Sequence, residues 1–393
     1  MKKILQNLTI VAASIVVSLG VCEVVARIML PPPMAVKVTT TKKMVAGNNP
    51  QKDVEGPNGD INSVIDWSGK YGVRLFPNVT GHIHNHTLSK QDVVIRVNSI
   101  GLRGGEVPPR HPGQYRILMM GDSITFGDYV DETLTISAYL EKELKSRGVP
   151  DVVVMNAGLP GVNLAEEFHH YQEIYEAADP DLVLLGMYLN DAQEAQKFYA
   201  KTLRFPFSQS RFLTWVVRQI PQVNSDALFR RVRLPTTEAD WKEKFRNGRD
   251  LHSGDTVRTK DGFDFEIYNA SRDFGLAWNP VAWEQLTKIS TAFAALVRQN
   301  KSKFAAFMFP VAIQIWAQPQ ALDTYPQKRF DELFTKLDVP HMDLLPPLQV
   351  KGTQMTRQEL LYDHCHYKAE GNQFVAATIA DWLVKEPLVP VVK

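Results

Sequence analysis

Arg116-Ile-Leu-Met-Met120 runs directly into Gly121-Asp122-Ser123-Ile124-Thr125-Phe126-Gly127. A short apolar run closed by a glycine turn is the pattern of a strand buried on both faces, as in a parallel sheet. Downstream, Ile136, Tyr139, Leu140 and Leu144 share one helical face, and Gly148-Val-Pro150 ends that helix. The unit then repeats. Asp151-Val-Val-Val-Met-Asn156 reads as a second buried strand, and Asn163 with Glu166 forms a capping box that opens a helix burying Leu164, Phe168, Tyr171 and Tyr175. Leu182-Val-Leu-Leu185 is a third strand, Phe304-Ala-Ala-Phe-Met-Phe309 a fourth, and the residues around His341-Met-Asp-Leu344 a fifth. Phe374/Val375, Thr378/Ile379 and Trp382/Leu383 mark the buried stripe of a last helix. This alternation predicts an α/β fold of three α/β/α layers around a central, mostly parallel five-stranded sheet.

Composition narrows the classes. The chain has 393 residues, 44% hydrophobic and 22% charged, which suits a globular protein of more than one part. A net charge of +1 gives no basic field for nucleic acid. Two cysteines, Cys22 and Cys365, exclude a disulfide scaffold and an all-cysteine zinc site.

The amino terminus suggests a location. Lys2 and Lys3 precede an uncharged run from Leu8 to Cys22, which resumes after Glu23 and stops at Pro31-Pro32-Pro33. With Arg27 snorkelling, 1–30 reads as an uncleaved transmembrane anchor. A cleaved signal peptide is a rival, with Val24-Val25-Ala26 as its small-residue site, and Leu19-Gly20-Val21-Cys22 resembles a lipoprotein box with a bulky Val21 where a small residue is wanted. The paired lysines place the remaining chain on the extracytoplasmic side. Residues 31–65 read as a linker, 66–113 as a β-rich extension, 114–191 and 279–386 as two parts of one core, and 387–393 as a tail. Between them, 192–278 breaks the alternation and reads as an inserted subdomain. Within it, 201–250 holds 11 Lys/Arg against 5 Asp/Glu.

Chemistry-bearing residues gather at the expected strand ends, where open α/β sheets bind ligands. Ser123 follows the first strand. Asn156-Ala-Gly-Leu-Pro-Gly161 follows the second and offers the Gly161 amide. Gly186-Met-Tyr-Leu-Asn190-Asp191 follows the third, and Asp363-His-Cys-His366 lies after the fifth. A neutral imidazole can take a serine proton, and a carboxylate on its far nitrogen fixes the tautomer. Two backbone N–H groups and one amide NH₂ can hold a developing oxyanion.

In these four segments the chain resembles the SGNH hydrolases, the GDSL esterase and lipase superfamily, over roughly residues 114–190 and 280–386. Asn98-Ser-Ile-Gly101-Leu-Arg103 is similar to the approach found in membrane-anchored bacterial members. The resemblance implies a flavodoxin-like sheet, Ser123 as nucleophile, His366 as general base and Asp363 as its orienter. It implies an oxyanion hole from Ser123 N–H, Gly161 N–H and the Asn190 side chain, with no metal or organic cofactor. Gly186 stands four residues before Asn190, where the commoner third block is Gly-x-Asn-Asp. The expected activity is serine ester hydrolysis, on O-acyl groups of envelope or exported polysaccharide. A lipase or lysophospholipase, an acetyltransferase with the same triad, and a non-catalytic glycan-binding member of an export assembly are the alternatives.

Other residues read more plainly. His364 is a neighbouring surface or substrate histidine, Cys365 is packing, and Asp191 is structural. His82, His84 and His86 alternate, so on a strand they would share one face and could bind a metal, with no carboxylate or cysteine expected to accompany them.

Overall fold

The computed structural model describes residues 52–69, 72–86, 88–192, 256–258, 264–266, 273–278, 280–316 and 324–392, together with 14, 18–25 and 212. The chain divides into two compact units, Met1–Thr40 with Gln196–Leu228, and Thr41–Ala195 with Phe229–Lys393. In the first, residues 18–25 are helical and the Phe212 amide donates to the Glu23 carboxylate at 3.0 Å. Among the described residues no helix is long and apolar enough to cross a membrane. Most of the expected anchor, and the arginine-rich 201–250 stretch apart from Phe212, lie outside the described residues.

The second unit begins with β1 (Lys52–Gly56), β2 (Ile65–Gly69), β3 (Gly72–Leu75), β4 (Val79–Ile83) and β5 (Val93–Val97). Then come β6 (Tyr115–Gly121), α1 (Ser123–Phe126), α2 (Ile136–Ser146), β7 (Val152–Gly158), α3 (Leu164–Ala178) and β8 (Leu182–Met187). A short antiparallel pair, β9 (Thr256–Arg258) and β10 (Asp264–Glu266), precedes α4 (Pro280–Gln299) and β11 (Lys303–Met308). The chain continues through α5 (Ala312–Trp316), α6 (Tyr325–Lys336), β12 (His341–Asp343), α7 (Leu345–Gly352) and α8 (Arg357–Leu360), and its last helix is α9 (Ala369–Lys385).

Five strands form one sheet in the order β12-β11-β8-β6-β7, every neighbouring pair parallel. The β6→β7 crossover steps one way along the sheet, while β7→β8 and β8→β11 step the other. Right-handed crossovers of opposite step lie on opposite faces, so α2 takes one face and α3 and α4 the other. The contacts agree: α2 packs on α9 and α3 packs on α4. The reversal of step falls between β6 and β8, and their carboxyl ends open the crevice.

A row of glycines shapes that crevice. Gly121 pairs in register with Gly158 on one side and Gly186 on the other. A Cβ on Gly121 would lie 2.1 Å from Thr125 Oγ1, and one on Gly158 would lie 2.2 Å from the Phe126 nitrogen. The three bare positions let α1 settle onto the strand ends, which fixes Ser123 above the sheet. Gly186 also accommodates the Phe307 ring, 2.7 Å from where its Cβ would be. Packing therefore accounts for this glycine, despite its unusual distance from Asn190.

Three sequence expectations need correction. The linker does not extend to residue 65, because Lys52–Gly56 is a strand paired in parallel with β4 and short 3-10 turns follow at Pro57–Gly59 and Ile61–Ser63. Its Lys52, Asp53 and Glu55 carry no apolar alternation, but charged side chains suit a strand at a sheet edge. The insert does not run to 278, since Phe274, Ala277 and Trp278 are buried in the main core. On α3 the fully buried residues are Leu164, Glu167, His170, Tyr171, Ile174 and Ala178, a glutamate among them, while Phe168 and Tyr175 pack on the core only half-buried. The capping box at Asn163 and Glu166 is present.

Glu167 survives burial beside Asp191. Both carboxyls are held well above their ordinary values, first by burial and then by neighbouring acidic groups. For a carboxyl raised on folding, no stability is lost below the unfolded value. As pH climbs from there toward the folded value, the unfolded chain gains by ionising and the folded state weakens. Glu167→Gln should therefore raise Tm at pH 8 and leave it nearly unchanged at pH 4. A Tm lowered equally at both pH values would contradict a proton held at this pair.

The extension is stitched to the core through Arg103. This residue bridges Val97 on one side and Asn156 of β7 on the other. Its buried guanidinium donates to the carbonyls of Phe126, Gly127 and Val130 at 2.7, 2.6 and 2.5 Å. Asn98 holds the approach to it, its Oδ1 accepting from the amides of Ile100 and Leu102. The Asn98–Arg103 segment thus clamps the loop that leaves α1.

Candidate active site

Ser123 opens α1 with Asp122 as its N-cap, and Asp122 Oδ1 accepts the Ile124 amide at 2.9 Å. As a first-turn residue, Ser123 has an amide N–H with no acceptor within its own helix. Ser123 Oγ lies 2.8 Å from His366 Nε2, and His366 Nδ1 lies 2.7 Å from Asp363 Oδ2. The other carboxylate oxygen, Asp363 Oδ1, accepts the amides of Cys365 and His366 at 2.9 and 2.8 Å. Those two bonds curl the Asp363–His366 loop around its own carboxylate, so the three-residue spacing seen in sequence is a geometric requirement.

Charge follows from this arrangement. Burial alone would depress the His366 imidazole, but Asp363, as charge and as hydrogen-bond partner, with Asp128 and Asp122 behind it, raises it to about 9. Burial would raise Asp363, and the His366 and His364 charges with the Cys365 amide hold it far below its ordinary value instead. Asp122 is pushed up to about 7 by burial, against the Ile124 amide, His366 and Asn190, which favour its charged form. The pair Asp363–His366 is therefore a carboxylate gripping an imidazole whose other nitrogen faces a hydroxyl, an arrangement that can accept and return one proton.

Asn190 lies in the 3-10 turn Leu189–Ala192 that follows β8, and its Nδ2 donates to Asp122 Oδ2 at 3.0 Å. One of the two amide hydrogens is thereby used and the second remains available. Asp191 Oδ2 accepts the Tyr188 amide at 3.0 Å, closing the same turn. Gly161 adopts φ +68° in the turn after β7, a conformation that favours glycine. Ser123, Gly161 and Asn190 thus stand at the ends of three adjacent strands.

Residues that sequence reading did not single out also line the site. The Tyr129 ring packs edge-on against His366, with centroids 4.6 Å apart, and against His86 at 4.5 Å. Tyr129 belongs to the loop clamped by Arg103, and a tyrosine shortly after a glycine turn carries no distinctive signal. His86 leaves the expected shared face because Asn85 turns the chain at φ +48°. It is buried, and burial lowers its imidazole to about 4. His82 and His84 stay outside and do have carboxylates: Asp53 at 3.4 Å from His82, and Glu55 and Asp92 at 2.7 and 3.2 Å from His84. Asp53 and Glu55 arrive on β1, which sequence reading had assigned to the linker.

His364 is a correction too. Rather than a surface histidine, it is largely buried, with Nε2 2.6 Å from Asp273 Oδ2. Cys365 is buried with its Sγ 3.4 Å from His366 Nδ1, and burial first, then Asp363 and Asp273, push its thiol well above the ordinary value. Such a thiol stays protonated and is no nucleophile. Among the described residues, the groups able to hold a metal are Asp273/His364/Cys365 and Asp363/Cys365/His366. The second contains the hydrogen-bonded Asp363–His366 pair itself.

No protein-family model and no curated protein matches this chain. Among solved structures it is similar to a lipase/acylhydrolase from Enterococcus faecalis, at 13% identity and a TM-score of 0.37, over 71% of this chain and 100% of that one. It is also similar to an acetylxylan esterase from Geobacillus stearothermophilus, at 12% identity and a TM-score of 0.38, over 68% of this chain and 94% of that one. A further acetyl xylan esterase matches at 13% identity and a TM-score of 0.38, over 69% and 98% of the two chains. Likenesses this distant do not identify a reaction, and the chemistry has to be read from the residues of the site.

Proposed function

We propose that this chain is a serine ester hydrolase. The observation that carries the reading is the continuous hydrogen-bonded line from Ser123 Oγ through His366 to Asp363, at 2.8 and 2.7 Å. Ser123 Oγ attacks the ester carbonyl carbon while His366 Nε2 takes its proton. The carbonyl oxygen becomes an oxyanion, received by the amides of Ser123 and Gly161 and by Asn190 Nδ2. The tetrahedral intermediate collapses as the C–O bond to the alcohol breaks and His366 returns the proton to the departing oxygen. Water, deprotonated by the same nitrogen, then releases the acyl group and restores Ser123.

The favoured substrate class is an O-acylated, chiefly O-acetylated, envelope or exported polysaccharide. Its supports are the amino-terminal lysines with the apolar run from Leu8 to Cys22, which favour a site outside the cytoplasm, and the basic 201–250 stretch. In this reading the chain is anchored through 1–30. The test assays the full chain on acetylated polysaccharides, p-nitrophenyl acetate, p-nitrophenyl palmitate and phospholipid vesicles. Acetate release from polymer and short-ester turnover are expected. Turnover confined to palmitate and vesicles would make the chain a lipase, and acetyl transfer to added glycan outrunning hydrolysis would make it a transferase. Silence on every ester would favour the binding role.

Asn190→Ala should lower kcat by about 10²–10³ with little change in KM, because its NH₂ acts on charge that exists only in the transition state. A change in KM alone would make Asn190 a substrate-binding residue.

A further inference from the structure

The reaction proposed above gives no task to Asp273 or His364, yet both lie against its machinery. Asp273 Oδ2 receives two groups at once: it is 2.6 Å from His364 Nε2, and the buried Tyr188 hydroxyl donates to it at 2.9 Å. His364 sits between Asp363 and His366, and its carbonyl accepts the Ala312 amide at 2.8 Å. Tyr188 lies two residues before Asn190, and its amide is held by Asp191. One carboxylate oxygen therefore ties the loop that carries the acid–base pair to the turn that carries the oxyanion donor.

The chemistry of the tie is suited to fixing distance. A carboxylate receiving an imidazole N–H and a phenol O–H makes short, directional bonds. Burial opposes charge on His364, but the Asp273 hydrogen bond and charge, with Asp363 nearby, raise the imidazole above its ordinary value. Asp273 also precedes the buried Phe274–Trp278 stretch directly, which anchors its backbone to the core.

We infer that Asp273 is a positioning residue: through His364 and Tyr188 it sets the Asp363–His366 loop against the Asn190 turn. This rests on the ester-hydrolase reading. Displacing reacting groups by an ångström can cost about a hundredfold in rate. Asp273→Ala is therefore expected to lower kcat on p-nitrophenyl acetate about 10- to 100-fold, with KM nearly unchanged. Asp273→Asn, whose carbonyl oxygen can still accept from Tyr188 and a neutral His364, should recover most of that loss.

The decisive arm is a double-mutant cycle. If Asp273 acts by aligning Asn190 with the acid–base loop, Asp273→Ala should cost several-fold less in an Asn190→Ala background than in the wild type. All variants are compared as the full chain with matched far-UV circular dichroism. Should Asp273→Ala fail to fold, His364→Gln replaces it in the cycle. Wild-type kcat in folded Asp273→Ala, or full additivity with Asn190→Ala, overturns the positioning role while leaving the hydrolase reading intact. Absence of Ser123-dependent turnover in the wild type overturns both.

Discussion

Ser123→Ala is expected to remove ester hydrolysis, lowering kcat by about 10⁴-fold or more while the fold persists. The hydroxyl lies 2.8 Å from His366 Nε2 and is the only part of Ser123 that the substitution deletes, so the amide N–H remains in place. His366→Ala should cost about as much. Because nucleophile and base act as one unit, the double variant should be little worse than either single one. Losses that multiply would mean that the two residues contribute independently.

Asp363→Asn is the second large effect, and it carries a pH signature. The proposed reaction needs His366 as the neutral base, so kcat/KM should rise with pH through the imidazole's value. In the wild type Asp363 raises that value to about 9, so the acid limb should lie above the ordinary histidine range. Asparagine removes the charge and the limb should move down from there, since burial opposes the imidazolium and only Asp128 and Asp122 remain to favour it. Activity at the plateau should still fall by about 10²–10⁴-fold, because an amide no longer fixes the reactive tautomer or steadies the imidazolium. A pH profile that keeps its wild-type midpoint in Asp363→Asn would remove Asp363 from the mechanism.

The core was legible where sequence pattern and local geometry coincide. The β6 run must end at Gly121 because a Cβ there would strike Thr125 Oγ1, and Asp363 must stand three residues before His366 to grip both its ring and its amide. Both constraints are short in sequence and leave a readable motif. Asp273 is different: it meets His364 across 91 residues, with no periodicity linking the two. Lys52–Gly56 was illegible for another reason, since a charged edge strand lacks the apolar alternation that marks a strand. On α3 the aromatic residues suggested the inward face, but Glu167, beside Asp191, is fully buried while Phe168 and Tyr175 stay half-buried at the margin of the core. Hydrophobic periodicity has no means of registering such a carboxyl pair.

In the proposed reaction Ser123 is a nucleophile activated by His366. This role is tested most directly by treating the full chain with an alkyl fluorophosphonate and mapping the adduct by peptide mass spectrometry. One dominant adduct on Ser123 is expected, formed in step with loss of esterase activity and slowed severely in His366→Ala. An adduct on another residue with activity lost in parallel, or unmodified Ser123 in a fully inactivated enzyme, would contradict it.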